Sequence, residues 1–313
     1  LLHVAALVAG RPIVASAAAR DDGAARARAA SLFGRSDLLT HAHLFAQWLT
    51  MRAERRPGAE VRAFCERHGL SAVALQEAAL TRTTLLQQLE ETGLVDRAYV
   101  QGYRAQGPAW PARASSLAYD AHSRHTNLLR SLLLAALWPS IARVDQPAAR
   151  YHASASGAVR KDAHARELHY MDEHDGRVFL HPSSLLFHAT ESQSGYVAFL
   201  SKSARGPAGE ARTYLRDITE VPLYALLLFG GPLHVDHAVG GVLVSTGAAA
   251  SADAWVRMRA NPRIGVLCRQ LRQLLDRMLD EAIEDPRAMT APHHEPIVHA
   301  MLALVQHDGL TAP

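Results

Sequence analysis

A chain of 313 residues, about half of them apolar, can bury a substantial core and fits two domains of ordinary size, which excludes a disordered tail. The formal charge of +3 permits an anionic partner but is far below the density that announces one. Cys65 and Cys268 both sit in apolar-periodic segments, which argues against a disulfide framework or a cysteine zinc site and fits a reducing, intracellular setting, cytoplasmic or nuclear.

The opening LLHVAALVAG is apolar, but it lacks a basic lead and is too short to span a bilayer, so no membrane partner is expected; starting at Leu1, the chain reads as cut from something longer. Residues 1–140 read as helical. Ser36 can cap a helix whose Leu38, Ala42, Phe45 and Leu49 form one stripe. A long helix runs from near Ser71 to Gly93, with Leu75, Ala79, Leu86 and Leu89 on one face and Thr81, Arg82, Gln87 and Glu90 available to others. Residues 102–116 hold prolines and small residues and read as a loop, and Asn127 to Trp138 returns to helix until Pro139.

From about 141 the apolar period changes to two, which marks the domain boundary and predicts a small barrel. Glu167 to Met171 and Arg177 to Leu180 flank the hairpin signal Asp175-Gly176. Tyr196 to Leu200 and Arg212 to Ile218 flank SKSARGPAGEA, read as a loop in which Lys202 and Arg205 swing freely. Pro222 to Phe229 predicts a short buried helix. Asn261 and Pro262 start a helix through about Glu284 with Ile264, Leu267, Leu271, Leu274 and Met278 as its stripe, and residues 286–313 read as a weakly structured tail.

The chemistry is mostly one of exclusions. A P-loop needs glycine before its lysine, yet Lys161 follows Arg160 and Lys202 follows Ser201, so no ATP site can be built from this chain. Asp172-Glu173-His174-Asp175 has the wrong spacing for a magnesium site, and His41-x-His43, His234-x-Asp236-His237 and His293-His294 lack a distant third ligand, so no metal is expected. No nucleophile elbow supports a hydrolase. His181-Pro182-Ser183-Ser184, after a strand, admits two readings: donors for phosphate or 2′-hydroxyl oxygens, or a proline-terminated strand with serine caps. Arg216 admits two as well, contact with a nucleic acid or a salt bridge to Asp217.

Several segments in fixed order resemble the C-terminal region of DEAH-box and RNA helicase A-like helicases. LLHVAALVAGRPIVAS and SDLLTHAHLFAQW are similar to the start of the helicase-associated domain, FCERHGLSAVALQEAALTRTTLLQQL to its ratchet helix, NLLRSLLLAALWPSIARV to the passage into the oligonucleotide-binding (OB) fold, and HPSS, YLRDITEV and ALLLFGG to that fold, the last nearer the RNA helicase A-like group. The resemblance covers roughly residues 1–285; residues 51–60 and 102–116 look like insertions, and 286–313 match nothing in it. It implies an α+β multidomain chain: an α-helical helicase-associated (ratchet) domain over 1–140, then an OB-fold β-barrel with a C-terminal helix over 141–285. It further implies the accessory half of an ATP-dependent RNA helicase, with ATP and Mg held by motor domains outside this chain and no cofactor within it. Single-stranded RNA, the parent's RecA-like and winged-helix domains and G-patch cofactors are the implied partners; a motorless module docking proteins is the rival. The implied RNA-facing residues are Thr81, Arg82 and Gln87 on the ratchet helix and Arg177, His181, Ser183, Ser184, Lys202, Thr213 and Arg216 on the OB surface.

Overall fold

The computed structural model describes residues 1–14, 22–106, 121–146, 151–154, 157–160, 168–207, 211–236, 241–244, 255–286, 288, 291–306 and 308. Its first part is helical: α1 (Leu2–Val8), α2 (Asp22–Ala30), α3 (Asp37–Ala53), α4 (Gly58–His68), α5 (Ala72–Glu91), α6 (Arg97–Gln106) and α7 (Thr126–Leu137). The caps act where local chemistry places them. Ser36 accepts from Leu39 N ahead of α3, Ser71 accepts from Ala74 N ahead of α5, and Gly69 ends α4 in the left-handed region at φ 62°. Phe45, Trp48 and Leu49 of α3 pack against Leu70, Ala74, Leu75 and Ala78 to form the helical core. On α5 the buried line is Leu75, Ala78, Arg82 and Leu86, while the expected Ala79 and Leu89 are only half-buried.

The barrel follows as β1 (Ile141–Asp145), β4 (His169–Asp172), β5 (Gly176–Leu180), β6 (Tyr196–Arg205) and β7 (Arg212–Glu220), closed in the order β1-β4-β5-β7-β6. All of its ladders are antiparallel except β5 with β7. A closed five-strand barrel leaves no open sheet edge and is the architecture of an OB-fold. Its interior holds Ala142, Val144, Val178, Leu180, Val197, Phe199, Leu215 and Ile218. The first half of β6 is buried on both faces, because Tyr196 and Ala198 turn to a second cluster with Leu134, Val221, Ala225, Leu226, Leu227 and Cys268. Outside the barrel lie a hairpin of β2 (Tyr151–Ser154) and β3 (Gly157–Arg160) and a sheet of β8 (Leu233–Asp236), β9 (Gly241–Val244) and β10 (Val256–Arg259). Helices α8 (Leu223–Phe229), α9 (Pro262–Glu284) and α10 (Glu295–Gln306), the last after a 3₁₀ turn at Pro292–His294, complete the fold.

The two halves meet at the start of α3. Ser36 bridges Thr219 with 2.7 Å between their hydroxyls, the Asp37 carboxylate accepts from Leu185 N at 2.9 Å and Ile218 N at 3.0 Å, and Arg35 pairs with Glu220. Asp37 is buried, and burial pushes its carboxyl up to about 7 against the opposing bonds from Leu185, Ser184 and Ile218.

Four expectations are corrected. SKSAR is not loop: it extends β6, each residue pairing with one of β7, because the β7 ladder carries the strand on to Arg205. Residues 102–106 belong to α6, and 107–116 lie outside the described residues. The 286–313 tail is not weakly structured throughout. Helix α10 packs Val305 against Leu128 and Leu228, and Asp308 caps α8 by accepting from Leu223 N and Tyr224 N, both at 2.9 Å. The expected stripe of α9 turns inward only in part: Leu271 is half-buried against Leu128, Leu228 and Val305 and Met278 is half-buried, but Ile264, Leu267 and Leu274 are exposed, and Gly265, Cys268 and Ala282 are the buried positions.

Candidate nucleic-acid interface

On the parallel pair β5 and β7, Phe179 lies opposite Tyr214 and Leu180 opposite Leu215. Strand side chains alternate, so while Val178, Leu180 and Leu215 fill the barrel, Arg177, Phe179 and His181 share the outer face with Arg212, Tyr214 and Arg216. The arginines flank an aromatic pair. The guanidinium carbons of Arg177 and Arg212 lie 5.3 and 5.4 Å from the Phe179 ring centroid, Phe179 and Tyr214 are 6.1 Å apart, and Tyr214 stands edge-on to His181 at 6.2 Å.

Arg216 Nη2 is 2.7 Å from His181 Nε2, and His181 Nδ1 is 2.7 Å from Ser183 Oγ. Burial, then the neighbouring charges of Arg216 and Arg205, holds the His181 imidazole below its ordinary value. It is therefore neutral at neutral pH. Arginine only donates, so Nε2 accepts from Arg216, while Nδ1 meets the Ser183 hydroxyl and, at 3.1 Å, the Ser183 backbone N–H. A carboxylate in this position would cancel the guanidinium charge; a neutral imidazole orients it and leaves it intact. The expected alternative of an Arg216 to Asp217 salt bridge does not form, since Asp217, at φ 54°, turns to His41 Nδ1 at 4.0 Å. Arg205 on β6 lies directly opposite Arg212, and like charges so placed weaken a sheet. Among the described residues, none of Arg177, Arg205, Arg212 and Arg216 has a carboxylate within ion-pair distance. Cations interleaved with aromatic faces can track a phosphate backbone while bases stack.

The remaining expected residues are placed elsewhere. Lys202 lies opposite Leu215, on the other face of the sheet from Arg216, and is not free to swing: its ammonium is 3.3 Å from Asp172 and 2.9 Å from Asp175. Asp172 also caps the hairpin turn by accepting from His174 N and Asp175 N, which accounts for the acidic run without a metal. Thr213 has the same parity as Leu215 and faces away from the stripe. Ser184 is buried, its hydroxyl bound to Leu186 N and the Asp37 carboxyl, so it acts as a cap. Of the ratchet-helix residues, Arg82 is buried at 4% exposure, its guanidinium 5.8 Å from the Phe45 ring and 3.2 Å from His3, and burial lowers it to about 10. Thr81 donates to Glu77 O at 3.1 Å, and only Gln87 is exposed, so these three do not form one face. Missed in the sequence were Phe179, Arg212 and Tyr214, although their parity with Arg177, His181 and Arg216 marks the same strand face.

A family model described as an oligonucleotide/oligosaccharide-binding (OB)-fold matches residues 129–233, and one described as the C-terminal domain in RNA helicases matches residues 250–307, reaching into the segment expected to match nothing. A protein of Mycosarcoma maydis named as a DEAH-box ATP-dependent helicase is 42% identical over 100% of this chain and 20% of its own length. A Homo sapiens protein named as an ATP-dependent RNA helicase is 27% identical over 87% of this chain and 19% of its own length, and a chloroplastic DExH-box ATP-dependent RNA helicase of Arabidopsis thaliana is 24% identical over 88% and 18%. The chain thus spans about a fifth of the length of these relatives. No helix among the described residues is long and apolar enough to cross a membrane. With its closed five-strand barrel and a likeness running its whole length, the chain belongs to the DEAH-box ATP-dependent RNA helicase family and carries its C-terminal region.

Proposed function

We propose that the chain is the accessory region of an ATP-dependent RNA helicase and that the outer face of β5 and β7 holds single-stranded RNA by its backbone. The whole protein would hydrolyse ATP with Mg in RecA-like domains, beside a winged-helix domain, and this region would guide the strand those domains move. The observation that carries the reading is Arg216 held by a neutral His181 beside the Arg177, Phe179, Tyr214 and Arg212 stripe: fixed positive charge next to stacking surface. The helical domain lends weaker support, because Gln87 alone of its expected contacts is exposed.

Fluorescence anisotropy with a labelled oligouridine tests this. The chain binds weakly, with affinity falling as salt rises by a log–log slope of about −0.7 for each neutralised phosphate. Arg216→Ala lowers affinity alike for unrelated sequences and makes the slope shallower. A folded Arg216→Ala chain with unchanged affinity and slope removes Arg216 from the site. Absence of binding by the parent chain favours the rival, a module that docks proteins such as G-patch cofactors, for which the exposed Ile264, Leu267 and Leu274 of α9 are the supporting observation.

A further inference from the structure

The end of α9 and the turn that leads into α10 bring together three groups that the RNA reading leaves unused. Glu281 lies in the last turn of α9, and His293 and His294 close the 3₁₀ turn at Pro292–His294. Neighbouring residues of a 3₁₀ turn point about 120° apart, at three residues per turn. Here both imidazoles nevertheless converge on one atom: His293 Nε2 is 3.3 Å and His294 Nε2 is 3.0 Å from Glu281 Oε2. The rings stand 4.1 Å apart at 62°. His294 is fixed by burial at 2% exposure, and its buried Nδ1 has no hydrogen-bond partner, so Nε2 is the one polar anchor of the ring.

We propose that Glu281, His293 and His294 form a zinc site that fastens the start of α10 to the end of α9. The ligand atoms all lie within 4.8 Å of one another. Zinc–nitrogen and zinc–oxygen bonds of about 2.1 Å at a tetrahedral angle put ligand atoms about 3.4 Å apart. The two Glu281 to histidine distances of 3.0 and 3.3 Å are within a few tenths of an ångström of that, and the two imidazole nitrogens, no more than 4.8 Å apart, would close by at most about 1.4 Å. Two imidazoles and a carboxylate suit a borderline divalent ion better than the hard oxygen-seeking magnesium or calcium. Three protein ligands leave a fourth position for water. Glu281 and His293 are half or more exposed, so the ion has an entry path, while buried His294 ties the site to the packing of α10. The pair His293-His294 lacked a distant third ligand in the sequence; the fold supplies it twelve residues upstream, on the preceding helix. The proposal is independent of the RNA interface and reverses the expectation of no metal.

The test is isothermal titration of the EDTA-treated 313-residue chain with zinc chloride, paired with thermal melting. One zinc per chain binds and raises the melting temperature, since an ion that binds only the folded state stabilises it. Glu281→Gln and His293→Ala, both at exposed positions and so compatible with folding, each weaken binding by about tenfold or more, at least the loss seen when a ligand's supporting contacts are disturbed. No zinc binding by the parent chain overturns the proposal. So does a Glu281→Gln, His293→Ala double variant that binds zinc as tightly as the parent, because the ion then sits among the other histidines.

Discussion

Removing the Arg35 guanidinium tests whether the joint between the helical part and the barrel is one cooperative contact. Arg35 grips Glu220 with both arms, Nε to Oε2 at 2.6 Å and Nη2 to Oε1 at 2.7 Å, and Nη2 also donates to Glu191 O at 2.7 Å. Glu220 is only 2% exposed, and without Arg35 its carboxylate keeps two long contacts, Ser192 Oγ and Gln193 N, both at 3.2 Å. Breaking a buried pair by deleting one partner strands the other charge and costs about 3–5 kcal/mol. The Arg35 side chain is 26% exposed, so water relieves part of that cost and the expectation for Arg35→Ala is the low end, about 3 kcal/mol. Alanine keeps the comparison clean. Arg35 has φ 46°, and alanine bears the same left-handed strain, so the difference reports the guanidinium. Urea unfolding is the assay, because guanidinium salt would screen the pair. If the stranded charge is the cause, adding Glu220→Gln to the Arg35→Ala chain recovers stability, about 1 kcal/mol or more. A loss below about 1 kcal/mol for Arg35→Ala, or a further loss on adding Glu220→Gln, refutes the reasoning.

Two further outcomes concern stability. The Asp37 carboxyl, raised by burial from 3.8 to about 7, holds its proton more tightly in the folded chain than in the unfolded one, so its contribution is complete at acid pH and is lost as pH rises towards 7. Urea unfolding from about pH 5 to about pH 7 shows a falling stability that Asp37→Asn flattens, and identical slopes in the two chains count against the buried acid. Leu228, 3% exposed between Leu128 and Val305, loses about 2–5 kcal/mol on truncation to alanine, and an unchanged thermal midpoint in Leu228→Ala shows that the α7, α8 and α10 contact is not part of the core.

What was legible in the sequence is what local chemistry decides. Ser36, Ser71 and Asn261 cap helices because a side-chain oxygen meets N–H groups two or three residues on, and Asp175-Gly176 turns a hairpin because Gly176 takes φ 65° at the bend. Arg82 was misread although its spacing was available: it falls seven residues after Leu75 and four before Leu86, on the buried line, and a long polar side chain was allowed to outweigh that. Lys202 was beyond reach. Its partners Asp172 and Asp175 lie 30 and 27 residues away, and only the closure of β4, β5, β7 and β6 brings them together. The length of β6 failed for a related reason. Gly206 and Pro207 argue for a loop locally, while eight paired positions along β7 supply a non-local ladder that carries the strand to Arg205.

The barrel's cations divide by the partner that holds them, and the division separates structure from function more sharply than their number does. Arg35, Arg143 and Lys202 lie against Glu220, Asp145 and Asp172 with Asp175, so their charges are neutralised where they sit. Arg177 and Arg212 lie over a Phe179 ring, and Arg216 rests on a neutral imidazole; each of these partners fixes direction without supplying an opposite charge. Fixing a cation in this way lowers the conformational entropy it must lose on meeting a phosphate, and keeping the charge whole preserves the counterion release that drives such binding. A net charge of +3 conceals this, because the sum does not show that, among the described residues, none of the arginines on the face of β5 and β7 has a carboxylate within ion-pair distance.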